Sequence, residues 1–168
     1  FVLAHFHYTL FPITIIGFYA GITMWFPKMF GRMMSEKLGK WHFWGTVIPF
    51  NLIFIPLFVL GLGGQHRRIY DFTNFPDLAA MQPVRIFATS WLLVMLAFQF
   101  VFLFNFFWSM FRGKKAPKNP WKSCTLEWTA DSPPPHGNWK ELPTVYRGPY
   151  EYAVPGRAED YWPQNAPS

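Results

Sequence analysis

Charge is the first thing this sequence lacks. Asp, Glu, Lys and Arg make up 14% of its 168 residues, against about 25% in a typical soluble domain. With 51% hydrophobic residues, so poorly charged a chain is neither disordered nor an ordinary water-soluble globule. Cysteine is nearly missing too. A single copy excludes a disulfide framework and any Cys-based zinc or iron–sulfur site within the chain. No Gly-rich phosphate loop, nucleophile triad, carboxylate pair or internal repeat stands out. What the chain has in excess is aromatic residues, 21% of the total, including 20 Phe. The net charge of +6 would suit nucleic acid, but the basic residues sit at the ends of apolar runs. That placement points to a membrane surface and to no nucleic acid partner.

Three stretches contain no Asp, Glu, Lys or Arg: Phe1 to Phe26, Trp41 to Leu62, and Ile86 to Phe111. Each exceeds the roughly 20 residues that a helix needs to cross the hydrocarbon core. Three successive all-round apolar core helices would need a far larger soluble domain around them, so these runs read as transmembrane helices. Pro12, Pro49 and Pro56 fall inside them; membrane helices tolerate such breaks because neighbouring groups satisfy the freed carbonyls. Gly17 and Gly21 share one face of the first helix, where another helix could approach closely.

The connectors set the orientation. Lys28, Arg32, Lys37 and Lys40 lie between the first two runs, and Arg112, Lys114, Lys115, Lys118 and Lys122 follow the third. These Lys-rich ends belong on the inner side, cytoplasmic in a bacterium or matrix in an organelle. The connector with Arg67, Arg68, Arg85, Asp71 and Asp77 then faces outward, against the usual charge bias, and something should hold its paired arginines there. Residues 113–168 differ in kind: they hold ten of the sixteen prolines and four tryptophans. The fold expected is an all-α integral membrane protein. Residues 1–112 form a three-helix transmembrane segment, and 113–168 an extended Pro-rich C-terminal tail on the inner face. The first run opens with no initiator Met and no polar flank, so the chain reads as a piece of a longer or split polypeptide.

Ala4-His5-Phe6-His7-Tyr8 lies near the outer end of the first helix. Ionisable residues inside a span are costly and usually functional. Histidines at i and i+2 lie about 200° apart around a helix. They cannot chelate one metal, but each can face a different partner. Neutral imidazole is a good axial ligand for haem iron, so one helix between two haems fits; hydrogen bonds to neighbouring helices or a proton relay fit as well. At the outer end of the second helix, Gly61-Leu62-Gly63-Gly64-Gln65-His66-Arg67-Arg68 combines a tight turn with two planar cationic forks that bind carboxylates. Haem propionates or lipid phosphates would both suit the arginines. His42 reads as a hydrogen-bonding residue, Asn51, Gln99 and Asn105 as interhelical glue, and Cys124 as a reduced bystander.

Phe1-Val2-Leu3-Ala4-His5-Phe6-His7-Tyr8 resembles the helix X signature of subunit I of the haem–copper oxidases. Gly61 to Arg68, with Asp71 after it, resembles the propionate-binding loop that follows helix XI. Lys114-Lys115-Ala116-Pro117, Asn119-Pro120-Trp121, Thr125-Leu126-Glu127-Trp128 and Ser132-Pro133-Pro134-Pro135-His136 resemble the C-terminus of subunit I in bacterial aa3- and caa3-type cytochrome c oxidases. The likeness covers nearly the whole chain. It implies that the three helices are the equivalents of helices X–XII. It implies that His5 is the proximal ligand of the high-spin haem and His7 an axial ligand of the low-spin haem. Phe6 would lie in the route between the haems, and Arg67 and Arg68 would hold propionates.

The implied cofactors are two haems of A type and a copper ion ligated by residues upstream of this segment. The implied partners are the N-terminal part of subunit I, subunits II and III, cytochrome c as electron donor, and the lipid bilayer. The location would be the bacterial cytoplasmic membrane rather than the mitochondrial inner membrane, with the C-terminus on the inner side. The parent complex would reduce oxygen to water and pump protons; this segment alone would not be catalytic. A quinol-oxidising relative and a diheme b-type electron carrier are the alternatives. Two departures stand out: Pro56-Leu57-Phe58-Val59 where the family often has Pro-Gln-His-Phe, and Gln65-His66 where it often has Met-Pro.

Overall fold

The computed structural model describes residues 1–167. Their named elements are helical: α1 (Val2–Phe11), a π-helical turn (Pro12–Ile16), α2 (Gly17–Phe30), α3 (Glu36–Leu62), α4 (Pro76–Ala79) and α5 (Gln82–Arg112). Short 3-10 turns cover Phe72–Asn74 and Leu126–Trp128. No strand occurs among the described residues; Arg32 and Lys115 form an isolated bridge. Val2–Phe30 runs as one span, and this span, Glu36–Leu62 and Gln82–Arg112 are each long and apolar enough to cross a membrane. At 1.5 Å per residue each exceeds the roughly 30 Å hydrocarbon core. The all-α, three-span membrane fold read from the sequence is the fold observed.

Local chemistry explains the irregular places. Pro12 has no N–H, and its ring would collide with the carbonyl four residues back. The helix widens there by one residue, and the Gly17 N–H bonds back to the Pro12 carbonyl, the i→i+5 pattern of a π-bulge. At the start of α3, the Ser35 hydroxyl accepts from the Leu38 N–H at 3.5 Å, a long N-cap bond. The Asn105 side chain clasps the same cap from α5: it accepts from the Ser35 N–H and donates to the Ser35 carbonyl, both at 3.0 Å.

The chain divides into two compact units, one of residues 1–21 and 35–107, the other of residues 22–34 and 108 onward. In the first, Phe50, Ile53, Phe54 and Met95 form a core, with Tyr8, Phe11, Leu57 and Trp91 packed on it. A side chain at Gly45 would begin 2.1 Å from the Phe98 ring, so this glycine lets α3 and α5 close up. Gln99 forms a polar knot: it accepts from Tyr19 at 2.7 Å, pairs with His42 Nε2 at 3.1 Å and donates to Thr46 at 3.1 Å. Tyr8 donates to Asn51. The three amides read as interhelical glue therefore play that part. Lipid is as apolar as these side chains, so packing and hydrogen bonds replace the hydrophobic drive between helices. Gly17 differs from expectation. It is exposed, and outside its own helix nothing lies within 4 Å of where its side chain would start.

In the second unit the buried Lys28 organises the irregular chain. Its ammonium donates to the Ala130 carbonyl at 2.5 Å and to those of Lys118 and Asp131 at 3.4 Å. It also lies 5.2 Å from the centre of the buried Trp128 ring. Gln164, also buried, ties the last residues back: its N–H donates to the Cys124 carbonyl and its side chain accepts from the Leu126 N–H. Cys124 itself is buried.

Candidate functional site

His5, Phe6 and His7 lie in α1, whose buried Ala4 lets the helix come close to its neighbour. His7 is half-buried and its ring stacks on Phe54 of α3, 5.3 Å between centres and 15° from parallel. Its Nδ1 is 2.8 Å from the Leu3 carbonyl. A carbonyl only accepts, so Nδ1 carries the proton and Nε2 keeps its lone pair. That is the tautomer a metal-ligating histidine needs, with the second nitrogen oriented by a backbone carbonyl. His5 points elsewhere. It is exposed, and its ring makes no hydrogen bond among the described residues. Phe6 is 51% exposed and meets His7 edge-on at 5.3 Å.

The outer end of α3 is built by glycines. The Gln65 N–H bonds to the Leu60 carbonyl at 3.0 Å and the Gly64 N–H to that of Gly61 at 3.2 Å, the two bonds of a Schellman motif. Gly64 has φ +88°, the left-handed geometry that such a turn requires and glycine supplies freely. A side chain at Gly61 would start 1.8 Å from the Phe1 nitrogen, so that glycine lets the start of α1 abut α3. The turn ends on Arg67 and Arg68. Both are exposed, and neither forms an ion pair among the described residues. A cavity of about 240 Å³ is lined by Phe1, Val2, Leu3, Leu57, Gly61, Gln65, His66 and Arg67. The first turn of α1 and the arginine turn thus share one cavity. Beyond the turn, the Asp71 carboxylate accepts from the N–H and hydroxyl of Thr73, at 2.9 and 2.7 Å. These bonds favour the ionised form and hold its pKa below the usual aspartate range.

The first 94 residues match the family model described as Cytochrome C and Quinol oxidase polypeptide I. The chain belongs to this family. Its relatives include the alternative cytochrome c oxidase subunit 1 of Bradyrhizobium diazoefficiens, 45% identical across 99% of this chain and 29% of the relative. Cytochrome c oxidase subunit 1 of Thermostichus vulcanus is 46% identical across 95% of this chain and 28% of its own length. Cytochrome bo(3) ubiquinol oxidase subunit 1 of Buchnera aphidicola is 38% identical across 86% and 22%. The chain therefore spans under a third of the length of these oxidase relatives.

The donors this oxidase segment presents fit haem. Among the described residues, His7 has an oriented ring with one unpartnered nitrogen, the His5 ring has no hydrogen-bond partner, and the arginines of the turn pair with no carboxylate. Among the described residues no three His, Cys, Asp or Glu side chains gather to hold a metal ion directly. The sequence reading missed three contributors: Leu3 through its carbonyl, Phe54 through stacking, and Arg85, whose side chain reaches the arginine turn at Gln65. Only the Leu3 carbonyl carries a sequence signal, because the helical repeat places the carbonyl of residue i−4 beside residue i.

Proposed function

We propose that this chain is the haem-binding C-terminal part of the catalytic subunit of a terminal respiratory oxidase. The complex would reduce oxygen to water with electrons from cytochrome c and couple this to proton pumping. Residues 1–112 would be the transmembrane part and 113–168 a tail on the inner face of a bacterial cytoplasmic membrane. The N-terminal part of subunit I, subunits II and III, cytochrome c and the bilayer are the partners. The observation that carries this reading is the pair of imidazoles diverging from α1, one of them oriented by the Leu3 carbonyl.

His5 would hold the iron of a high-spin haem and His7 that of a low-spin haem. When bound, the two haems, of A type, supply the electron transfer and, with a copper ion ligated upstream, the reduction of oxygen. The protein's part is geometry and charge. A single rigid helix sets the separation of the two ligands. Phe6 would lie in the route between the haems. The Leu3 carbonyl would hold His7 in the ligating tautomer and fix the orientation of its ring. Arg67 and Arg68 offer bidentate partners to propionates, and their positive charge favours electron uptake nearby.

In the assembled complex, His5→Ala is expected to abolish the high-spin absorbance and His7→Ala the low-spin absorbance. Both spectra surviving intact would refute the assignment. A diheme carrier, with two saturated irons, would give almost no carbon-monoxide difference spectrum, whereas the proposed site gives a full one. A quinol-oxidising relative is the second reading, favoured by the 38% identity to a ubiquinol oxidase subunit. Turnover on reduced cytochrome c but not on ubiquinol is the result expected here.

A further inference from the structure

Arg85, at the start of α5, is half-buried and forms no ion pair among the described residues. Its hydrogen-bond partners are neutral. Its Nε donates to Gln65 Oε1 at 3.2 Å, its Nη1 to Gln82 Oε1 at 3.1 Å and its Nη2 to the Leu78 carbonyl at 2.7 Å. Its guanidinium also lies 4.0 Å from the centre of the Phe72 ring. One side chain thus joins the end of the α3 turn, the Phe72 segment, α4 and α5. Only a planar fork with several fixed donors can do this; a lysine ammonium is a single point on a flexible stem.

Gln65 is the connection to the site. Its backbone N–H closes the Schellman motif on Leu60 at 3.0 Å, and its side chain is held by Arg85. With both ends anchored, the direction in which the chain leaves towards His66, Arg67 and Arg68 is set. Gln65 also lines the cavity that Arg67 faces. A proline in such a turn would stiffen it through its own ring. Here the turn has no proline, and a hydrogen bond from twenty residues away stiffens it instead.

We infer that Arg85 is a positioning residue for the arginine turn, acting through Gln65 to aim Arg67 and Arg68 at the haem propionates. The inference rests on the proposed function, because it takes those propionates as the target. Loosening the turn moves cationic charge away from the haem, and the added electron is then less favoured, so the midpoint potential falls.

The test is a redox titration of the assembled oxidase followed by haem absorbance, on Arg67→Ala, Gln65→Met, Arg85→Lys and the Gln65→Met/Arg85→Lys pair. Gln65→Met removes the acceptor at constant length and charge; Arg85→Lys keeps the charge but loses the fork. Arg67→Ala is expected to give the largest fall. Each of the other single changes should give a smaller fall of the same sign, and the pair no more than the larger of its two singles, since coupled sites are not additive. If Arg67→Ala lowers the potential while Gln65→Met and Arg85→Lys stay at the wild-type value, the positioning role is refuted and the site reading stands. If Arg67→Ala itself changes nothing, the site reading fails and takes the inference with it. Should Arg85→Lys lose haem altogether, Gln65→Met decides the matter alone.

Discussion

His42 and the α1 histidines are the same residue type in the same compact unit, yet their surroundings are opposite. His42 is buried, with Nε2 on Gln99 at 3.1 Å and its ring against Tyr19 and Phe102, 4.6 and 5.0 Å between centres. Its polar need is met within the protein. Among the described residues, His7 has one nitrogen on a backbone carbonyl and no partner on the other, and the His5 ring has no hydrogen-bond partner. A polar group inside a membrane protein that its own fold leaves unmatched is costly. These are the groups to which the proposed function assigns the haems. The cationic residues repeat the contrast. Lys28 is surrounded by three carbonyls, while Arg67 and Arg68 stand exposed at the mouth of a turn.

The largest effects should come from breaking the comparison on the histidine side. His5→Ala and His7→Ala each remove one haem signal entirely, whereas His42→Leu should leave both haems in place. An absorbance spectrum of the three variants decides; loss of haem in His42→Leu would erase the distinction drawn here. Next comes Lys28→Met. It deprives three carbonyls of a charged donor, a loss of about 1–3 kcal/mol, and residues 113–167 should become readily cleaved by protease at concentrations that spare the wild type. An unchanged cleavage rate would mean that other contacts hold that segment.

His42→Leu should also have a modest cost of its own, on the order of 0.6 kcal/mol for an interhelical hydrogen bond, read as a slightly lower melting temperature. The smallest effect concerns Asp71. Its lowered pKa means that the folded state favours the carboxylate. Its contribution to stability is therefore present at neutral pH and is lost as the pH falls through the lowered value, below the usual aspartate range. Asp71→Ala should slightly lower the melting temperature near neutrality and converge with the wild type in acid, which flattens that acid limb; an identical acid limb would show that the Thr73 bonds do not matter.

Much of this was legible in the sequence because it is local. Three runs without charge are long enough to span a membrane wherever they occur, and histidines two apart on a helix diverge whatever surrounds them. The glycines at 61 to 64 announce a turn before two arginines. The widened turn at Pro12 follows from a missing N–H. Partnerships between residues far apart in the chain were not legible. Nothing about Phe54 marks it as the ring beneath His7, and nothing about Gln65 points to Arg85. Lys28 meets a carbonyl 102 residues away, although its position among basic neighbours suggested only an inner-side charge.

Charge, length and helical period thus determined by themselves that the chain is helical and built to span a membrane, and which side chains are candidates for cofactor chemistry. Tertiary structure decided which of those candidates the protein satisfies internally and which it leaves open. The physical reason is that hydropathy and periodicity act over a few helical turns, whereas a hydrogen bond or a ring stack depends on atoms that only the packed chain brings within a few ångströms of one another.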